Sequence, residues 1–296
     1  MPRPDESPAT VSIARRATRW RLKTRTLDLP ARPLVMGIIN VTPDSFSDAG
    51  QYFEINAAID RGLEMASQGA DILDLGGEST RPYSTPVDEA EELRRTAPVI
   101  AALTAQLGLP LSIDTSKSAV AREAIAAGAE IINDITGLAA DPAMLGVAIE
   151  TGAGVCAMHM QGTPQTMQDN PVYADVVEEV LEYLRRRRDE LIAAGVQPDR
   201  LSLDPGIGFG KTHQHNIDLL ANCHRFHELG CPLLLGPSRK GFIGRLLGDK
   251  QIDRLPGTIG VACALARQGV QIVRVHDVAA VRQALILYDA SGGGLI

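Results

Sequence analysis

The sequence predicts an α/β protein, and within that class a single-domain (β/α)8 TIM barrel, from two observations. Eight short runs rich in aliphatic and β-branched residues recur along the 296 residues. The runs are almost continuously apolar, which is typical of parallel strands covered on both faces. Helical patterns separate the runs, and a glycine shortly precedes seven of the eight. A glycine just past a helix can adopt a positive φ without steric cost and turn the chain into the next strand.

The predicted strands alternate strictly with helices over about 250 residues, which favours a closed barrel, with a doubly wound open sheet as the alternative. The eight strands are "LVMGIIN" (34–40), "ADILDLGG" (70–77), "PLSIDT" (110–115), "EIINDI" (130–135), "GVCAMHM" (154–160), "LSLDPG" (201–206), "PLLLGPS" (232–238) and "IVRVHD" (272–277). The glycines before the second to eighth strands are Gly69, Gly108, Gly128, Gly152, Gly195, Gly230 and Gly269.

The helices and the domain limits follow from local signals. Asp88 predicts the start of one helix, and Pro98 inside that helix predicts a kink. No linker dense in proline, glycine or serine interrupts the pattern, so we expect one domain over residues 21–296. Residues 1–20 contain arginines but no apolar segment like that of a signal peptide, so we expect them to form a flexible tail.

Composition excludes some classes of partner. A net charge of −7 argues against nucleic acid, which is bound by clustered lysine and arginine. No run approaches the roughly 18 to 20 apolar residues of a membrane span. The four cysteines include no C-x-x-C pair, which favours buried thiols in a reducing cytoplasm. We therefore expect a cytoplasmic protein that acts on small molecules.

Polar residues follow nearly every predicted strand, whereas the strand interiors are otherwise apolar. Active sites of (β/α)8 barrels lie at the carboxyl ends of the strands, where the loops converge. The polar groups at these ends are Asn40, Glu78, Ser79, Thr80, Arg81, Asp114, Asn133, Asp134, His159, Asp204, Ser238, Arg239, Lys240, Arg274, His276 and Asp277. One such residue alone is more often a helix cap than a catalyst, and Asp277 is expected to be a cap. Together they predict a binding site at this end of the barrel.

The chemistry of these groups divides into two sets. Asp114, Asn133, Asp204 and Lys240 provide carboxylates, an amide and an ammonium, which suit the donor and acceptor edges of a flat heterocycle. In a closed barrel the last strand pairs with the first, so Arg274 and His276 would lie beside Asn40.

The second set favours an anion. Arg274 and His276 occupy alternate positions of one strand and can face the same side, where they would bind an anion. Asn40 would ligate Mg²⁺ together with phosphate oxygens and water. The alternative for Arg274 is a surface ion pair.

The segment "LDPGIGFGKT" looks at first like a P-loop. That pattern requires a glycine five residues before Gly210, and Pro205 stands there with no N–H to offer a phosphate. The segment is therefore predicted to be a loop that follows a strand end. Two further polar loops, "NVTPDSFSDAGQYF" and "GGESTRPYS", are long enough to close over a substrate and exclude water.

Nine motifs in order carry a resemblance to a known family. They are "GIINVTPDSFSD", "GGESTRP", "SIDTSK", "IINDI", "AMHMQG", "LDPGIGFGK", "GPSRKGFIG", "RLPGT" and "RVHDV". From about Leu34 to the C-terminus the chain resembles the dihydropteroate synthases. The resemblance implies a transferase of folate biosynthesis, a cytoplasmic homodimer and a sulfonamide target. Its reaction joins 6-hydroxymethyl-7,8-dihydropterin diphosphate to 4-aminobenzoate, giving 7,8-dihydropteroate and pyrophosphate with Mg²⁺ as cofactor.

The resemblance also implies roles for single residues. Catalysis would involve Asp114, Lys240, Arg274 and His276. The pterin would contact Asp114, Asn133, Met158, Asp204, Phe209 and Lys240. The diphosphate would contact Asn40, Arg274 and His276, and Asn40 would serve the metal. The region of 4-aminobenzoate would contain Thr80, Arg81 and Ser238. The sequence departs from the family pattern at Ala49 and Tyr83, both in the polar loops.

Two alternatives share part of this signature. One is a pterin-binding barrel that donates a methyl group to a corrinoid protein, and it would need Asp114, Asn133 and Asp204 but no diphosphate site. The other is a non-catalytic pterin-binding paralogue, in which damaged polar loops would be expected. Both loops are intact here.

Overall fold

The computed structural model describes residues 15–41, 48–79 and 84–293, without the side chains of residues 48–54. An antiparallel hairpin, β1 (Arg19–Arg21) and β2 (Thr26–Asp28), precedes the main sheet. The strands of that sheet are β3 (Leu34–Asn40), β4 (Ile72–Gly76), β5 (Leu111–Asp114), β6 (Ile131–Asp134), β7 (Gly154–Met158), β8 (Leu201–Asp204), β9 (Leu234–Leu235) and β10 (Ile272–Val275).

The main sheet closes on itself. Its eight strands lie in the order β8-β7-β6-β5-β4-β3-β10-β9, and each named pair is parallel. A bridge from Leu203 to Leu233 joins the two outermost strands, and the Leu203 N–H donates to the Pro232 carbonyl at 2.9 Å. The predicted (β/α)8 barrel is confirmed, and the open-sheet alternative is wrong.

Helices connect the strands on the outside of the barrel. Those that the described residues form are α1 (Asp48–Ser67), α2 (Glu89–Gln106), α3 (Ser118–Ala127), α4 (Met144–Thr151), α5 (Val176–Ala193), α6 (His213–Ala221), α7 (Gly241–Leu246), α8 (Leu255–Arg267) and α9 (Val278–Ala290). Asp88 caps α2 as predicted, because its carboxylate accepts the Glu91 N–H at 2.8 Å. Helix α2 continues through Pro98 as a single helix, and the kink there stays a prediction. No described helix has the length and apolar character that a membrane span needs.

Two local predictions need correction. Six of the seven junction glycines have a positive φ, but Gly108 does not, because the chain already leaves α2 in an extended conformation at Leu107 (φ −119°, ψ 142°). Asp277 stands just before α9, yet its carboxylate makes no capping hydrogen bond. It instead accepts two hydrogen bonds from the Arg239 guanidinium, at 2.9 and 2.5 Å, because a charged fork outcompetes backbone amides.

The apolar residues form two cores, one on each face of the sheet. The larger core lies between the strands and the helices and includes Val35, Leu73 and Val273. The smaller core fills the amino-terminal end of the barrel interior. Its members come from alternate strand positions and from the hairpin: Met36, Ile72, Ile131, Cys156, Leu234 and Ile272, with Trp20, Leu22 and Leu29.

The hairpin shows that the expected tail ends too late. Trp20 is fully buried, and its indole N–H donates to the Arg200 carbonyl at 2.8 Å. Arg19 and Trp20 therefore belong to the folded body, and not to a flexible segment that ends at residue 20. The apolar surface of the indole closes the end of the barrel opposite the predicted site. The four cysteines, all within the described residues, are free thiols.

Candidate active site

The carboxyl end of the barrel brings together the two ends of the polypeptide. Strand β10 pairs with β3, with Arg274 opposite Met36 and Val275 opposite Gly37. Asn40 is the exposed last residue of β3, and His276 directly follows β10, so both lie at the same rim. The predicted pairing of the last strand with the first is confirmed.

A buried ionic cluster lies just inside this rim. The Arg274 Nε donates to Asp74 Oδ2 at 2.5 Å, and its Nη2 donates to Asp114 Oδ2 at 2.7 Å. Asn133 Nδ2 donates to the same Asp74 oxygen at 3.1 Å. Only 20% of the Arg274 side chain is exposed, so the surface ion pair considered for Arg274 is wrong. The arginine is held inside the barrel between two carboxylates.

Asp74 is a member of this cluster that the sequence analysis missed. It lies in the middle of β4 and is completely buried, which contradicts the expectation of apolar strand interiors. Its position in "ILDLG" was the available signal, because alternate residues of a barrel strand face the interior and Asp74 is one of them. Within the described residues its Oδ1 has no hydrogen-bond partner, so the cluster keeps one carboxylate oxygen unused.

Burial and charge set the protonation of the cluster. Burial raises the pKa of Asp114 to about 7, against the opposing effect of Arg274, and the nearby Asp74 carboxylate raises it further. Burial alone would lower the pKa of Arg274, but the two carboxylates outweigh it and raise that pKa above its ordinary value. The guanidinium therefore stays charged, whereas Asp114 can exchange a proton near neutral pH.

The opposite wall of the site is formed by Asp204 and the loop that follows β8. Asp204 is buried, and its carboxylate accepts the Gly206 N–H at 2.7 Å. Burial raises its pKa to about 6, against the charges of Lys240 and Lys211. Gly208 has φ +86°, and a Cβ there would lie 2.9 Å from the Lys240 side chain. A glycine at this position lets the loop pack directly against the lysine.

Lys240 and Phe209 stack beside that carboxylate. The Lys240 Nζ lies 4.3 Å from the centroid of the Phe209 ring, within the range of a cation–π contact. Burial lowers the pKa of Lys240 to about 8, and repulsion from Arg274 lowers it further. Met158 is buried on the neighbouring strand, where it pairs with Asp204. Phe209 thus contacts Lys240, and Met158 pairs with Asp204, while the role of the four residues in binding a heterocycle stays a prediction.

His276 is oriented by Ser238. The two side chains make a hydrogen bond of 3.0 Å through His276 Nδ1, and the backbone N–H of His276 donates to the serine Oγ at 3.2 Å. Burial and the Arg274 charge lower the pKa of His276 to about 4, so the ring is neutral at neutral pH. Ser238, expected near 4-aminobenzoate, contacts a residue assigned to the diphosphate. Thr80, Arg81 and Tyr83 lie outside the described residues, as does the side chain of Ala49.

Other polar strand ends have structural contacts. Asp134 faces away from the barrel interior, and its carboxylate accepts hydrogen bonds from Thr136 and the Leu138 N–H. His159 Nδ1 lies 2.9 Å from the Nζ of Lys211, a buried lysine that the sequence analysis did not assign. Glu78 pairs with Lys117, which also binds the buried Glu92 at 2.5 Å.

A metal ion would find few ligands from the protein alone. Within the parts of the chain that the structure describes, no three His, Cys, Asp or Glu side chains are arranged to hold a metal ion. Asn40 offers one exposed amide oxygen at the rim. Mg²⁺ commonly takes one or two protein ligands and completes its shell with water and phosphate oxygens. The donor set therefore fits a Mg²⁺ that arrives with a diphosphate.

A closed barrel with charged and polar groups at the carboxyl ends of its strands is typical of a class of protein, the barrel enzymes that act on small molecules. The family model described as "Pterin binding enzyme" matches residues 36–276, and the chain belongs to that family. A dihydropteroate synthase of Haemophilus influenzae is 45% identical over 268 residues, which cover 90% of this chain and 96% of that protein. Within the pterin-binding enzymes the chain belongs to the dihydropteroate synthases.

Solved structures give the same result. The dihydropteroate synthase of Yersinia pestis, in a sulfonamide drug complex, superposes with a TM-score of 0.86 at 44% identity, covering 93% of this chain and 99% of that one. The enzyme of Xanthomonas albilineans with 4-aminobenzoic acid superposes with a TM-score of 0.85 at 46% identity, covering 93% and 98% of the two chains. The resemblance seen in the nine sequence motifs is confirmed.

Proposed function

We propose that the chain joins 4-aminobenzoate to 6-hydroxymethyl-7,8-dihydropterin diphosphate, releasing pyrophosphate and forming 7,8-dihydropteroate. In this reaction the C–O bond to the diphosphate breaks, a C–N bond to the amino nitrogen forms, and the amine loses one proton. The observation that carries the proposal is the Arg274 guanidinium held between Asp74 and Asp114. It lies beside both the heterocycle wall and the rim formed by Asn40 and His276.

The heterocycle would bind between the cluster and the β8 loop. Asp204 accepts hydrogen bonds from the pterin amino group and ring N–H, because its second oxygen is not used by the Gly206 N–H. Asn133 and Lys240 contact other polar edges of the ring, and Asp114 faces it from the Arg274 side. Met158 and Phe209 supply the apolar surface against which a flat ring packs.

The diphosphate would bind at the β3–β10 rim. Arg274 provides a permanent charge, and neutral His276 donates a hydrogen bond from Nε2 when Ser238 engages Nδ1. Asn40 would hold Mg²⁺, which supplies charge neutralisation to the phosphate oxygens when bound. These groups stabilise the negative charge that develops on the leaving pyrophosphate.

The remaining steps concern the carbon and the amine. Loss of pyrophosphate leaves positive character on the methylene carbon, which the pterin ring delocalises and the Asp114 carboxylate stabilises. The region of Thr80, Arg81 and Ser238 receives 4-aminobenzoate. The hydrogen bond between Ser238 and His276 supports a position for that serine where the two substrates meet.

The assembly and the location of the protein are part of the same proposal. We propose a homodimer that uses the last helices, because Ile286 and Leu287 on α9 leave 43% and 69% of their surface exposed. Light scattering on wild type and Leu287→Glu tests it, since the variant would be monomeric. The free cysteines support a reducing cytoplasm as the location.

The experiment that tests the function is a pyrophosphate-release assay with the dihydropterin diphosphate. Release should require both 4-aminobenzoate and Mg²⁺, and Lys240→Ala and Arg274→Ala should each lower kcat/KM by at least about 100-fold. Full activity of either variant would remove that residue from the site. No release would contradict the synthase and favour one of the two alternative pterin-binding proteins, and release that does not depend on 4-aminobenzoate would contradict the synthase and indicate hydrolysis of the diphosphate.

A further inference from the structure

Lys211 is a fully buried cation outside the set of groups assigned to the substrates. Only 2% of its surface is exposed, and it is among the largest fully buried side chains. Among the described residues three acceptors surround its Nζ: His159 Nδ1 at 2.9 Å, the Phe209 carbonyl at 2.9 Å and the His159 carbonyl at 3.4 Å. An ammonium has three N–H donors, so each can find an acceptor without water.

These acceptors belong to two chain segments that meet beneath the heterocycle wall. His159 directly follows β7, whereas Phe209 lies in the loop after β8. The two segments touch through their backbones, since a Cβ on Gly206 would lie 1.9 Å from the His159 carbonyl oxygen. Lys211 therefore joins the β8 loop to the end of β7. The two backbones are so close there that no side chain larger than that of glycine fits at position 206.

The same loop carries groups that face the heterocycle. The Phe209 ring packs against Lys240, and the Gly206 N–H binds the Asp204 carboxylate. The loop is also held at Gly208, whose N–H donates to Asn216 on α6 at 2.6 Å. The Phe209 carbonyl follows both points in the chain and is bound by Lys211.

We propose that Lys211 is a positioning residue of the pterin pocket, whose buried ammonium fixes Phe209 and the β8 loop against β7 and thereby presents Asp204 to the heterocycle. This inference rests on the proposed function, because that function makes Asp204 and Phe209 pterin contacts. Burial lowers the pKa of Lys211 to about 7 and so works against the ammonium, whereas the Asp204 carboxylate favours it. In return, the Lys211 charge favours the ionised form of Asp204.

The test compares binding of two probes to Lys211→Met, which keeps the apolar stem and removes the ammonium. The probes are 6-hydroxymethylpterin, which carries the heterocycle without the diphosphate, and inorganic pyrophosphate with Mg²⁺. Calorimetry should show that the Kd of 6-hydroxymethylpterin rises by about tenfold or more, since a misplaced wall loses contacts with the ring. The Kd of pyrophosphate should change by less than about twofold, because the contacts of Lys211 within the described residues are with His159 and Phe209 and not with Arg274 or His276.

The matched control is Lys117→Met, which removes another lysine of the same barrel end that joins separate segments, here Glu78 and Glu92. The Kd of 6-hydroxymethylpterin should stay within about twofold in that variant. Lys211→Gln provides a second variant if Lys211→Met does not fold. Its neutral amide keeps two donors, so it should lose less pterin affinity than Lys211→Met.

The outcomes separate this inference from the proposed function. Wild-type pterin affinity in a folded Lys211→Met or Lys211→Gln protein would overturn the positioning role. Equal losses for both probes, or an equal loss in the Lys117 control, would also overturn it, because they indicate a general structural effect. If the wild-type protein does not bind 6-hydroxymethylpterin, the proposed function itself fails.

Discussion

The two ends of the barrel interior use the same strand positions for opposite purposes. At the amino-terminal end, inward residues such as Met36, Ile72 and Ile272 pack with Trp20 of the hairpin. Two residues further along β4 and β10, the inward residues are Asp74 and Arg274. The first end gains stability from apolar burial, whereas the second buries charges that are costly unless paired.

This difference separates stability from function within one structure. Apolar packing around Trp20 needs no particular chemistry, only a good fit in a closed space. The charged cluster depends on each partner, because removing one leaves another charge buried without compensation. Substitutions at the two ends should therefore affect the free energy of unfolding and the activity in different combinations.

The largest effect is expected for Arg274→Met. It should lower kcat/KM for pyrophosphate release by at least about 100-fold. It should also lower the free energy of unfolding by about 3 to 5 kcal/mol, since Asp74 and Asp114 lose their shared partner. Adding Asp74→Leu should restore most of the stability in urea titrations but none of the activity. A double variant that regains pyrophosphate release would contradict the separation.

Trp20→Ala should have the opposite character. Loss of a completely buried indole should lower the free energy of unfolding by about 3 to 5 kcal/mol, measured by urea titration. Well below the unfolding transition, kcat/KM should stay within about twofold of wild type, because the hairpin is remote from the charged cluster. Trp20→Phe is the control, and it should cost less because it keeps an aromatic ring and loses the hydrogen bond to Arg200. An equally large loss of activity in Trp20→Ala would show that the two ends are coupled.

The pH dependence of stability should identify Asp114. Its pKa is raised from 3.8 to about 7 in the folded protein, so the folded state holds a proton that the unfolded state has already lost. Its stabilising contribution is complete below pH 3.8 and is lost as the pH rises through about 7. The free energy of unfolding of wild type relative to Asp114→Asn should therefore fall over this range, by an amount on the order of a few kcal/mol.

Comparing the two proteins at each pH removes the contributions of the titrating groups that do not interact with Asp114. Asp204, whose pKa is also raised, is present in both. A difference between wild type and Asp114→Asn that does not vary with pH would show that Asp114 titrates at an ordinary value. Equilibrium urea unfolding at several pH values measures it.

The smallest effect is expected for Asp28→Ala in the hairpin. Arg19 and Asp28 form an ion pair at 3.4 Å, but their side chains are 70% and 87% exposed. Such pairs contribute little, so the free energy of unfolding should change by less than about 0.5 kcal/mol. A loss comparable to that of Trp20→Ala would mean that charge, and not apolar burial, holds the hairpin in place.

Much of the site could be predicted from the sequence because it lies at strand ends. Apolar runs followed by polar residues identified Asp114, Asn133, Asp204 and Lys240 without coordinates, and the structure brings their strands and loops together at one end of the barrel. Asp74 was not predicted because it lies in the middle of β4, whereas the predicted site residues lie at the ends of strands. Lys211 was left without a role because its partner His159 lies 52 residues earlier in the chain.

The sequence by itself determined the number and order of the eight barrel strands, since these follow from local apolar periodicity and glycine junctions, but not the hairpin of β1 and β2. The pairing of β10 with β3 followed from them once closure was assumed. Only the tertiary structure decided which charges share a buried space and that Trp20 closes the other end. The physical reason is that burial and ion pairing depend on distances between residues remote in the chain, whereas periodicity is a property of neighbours.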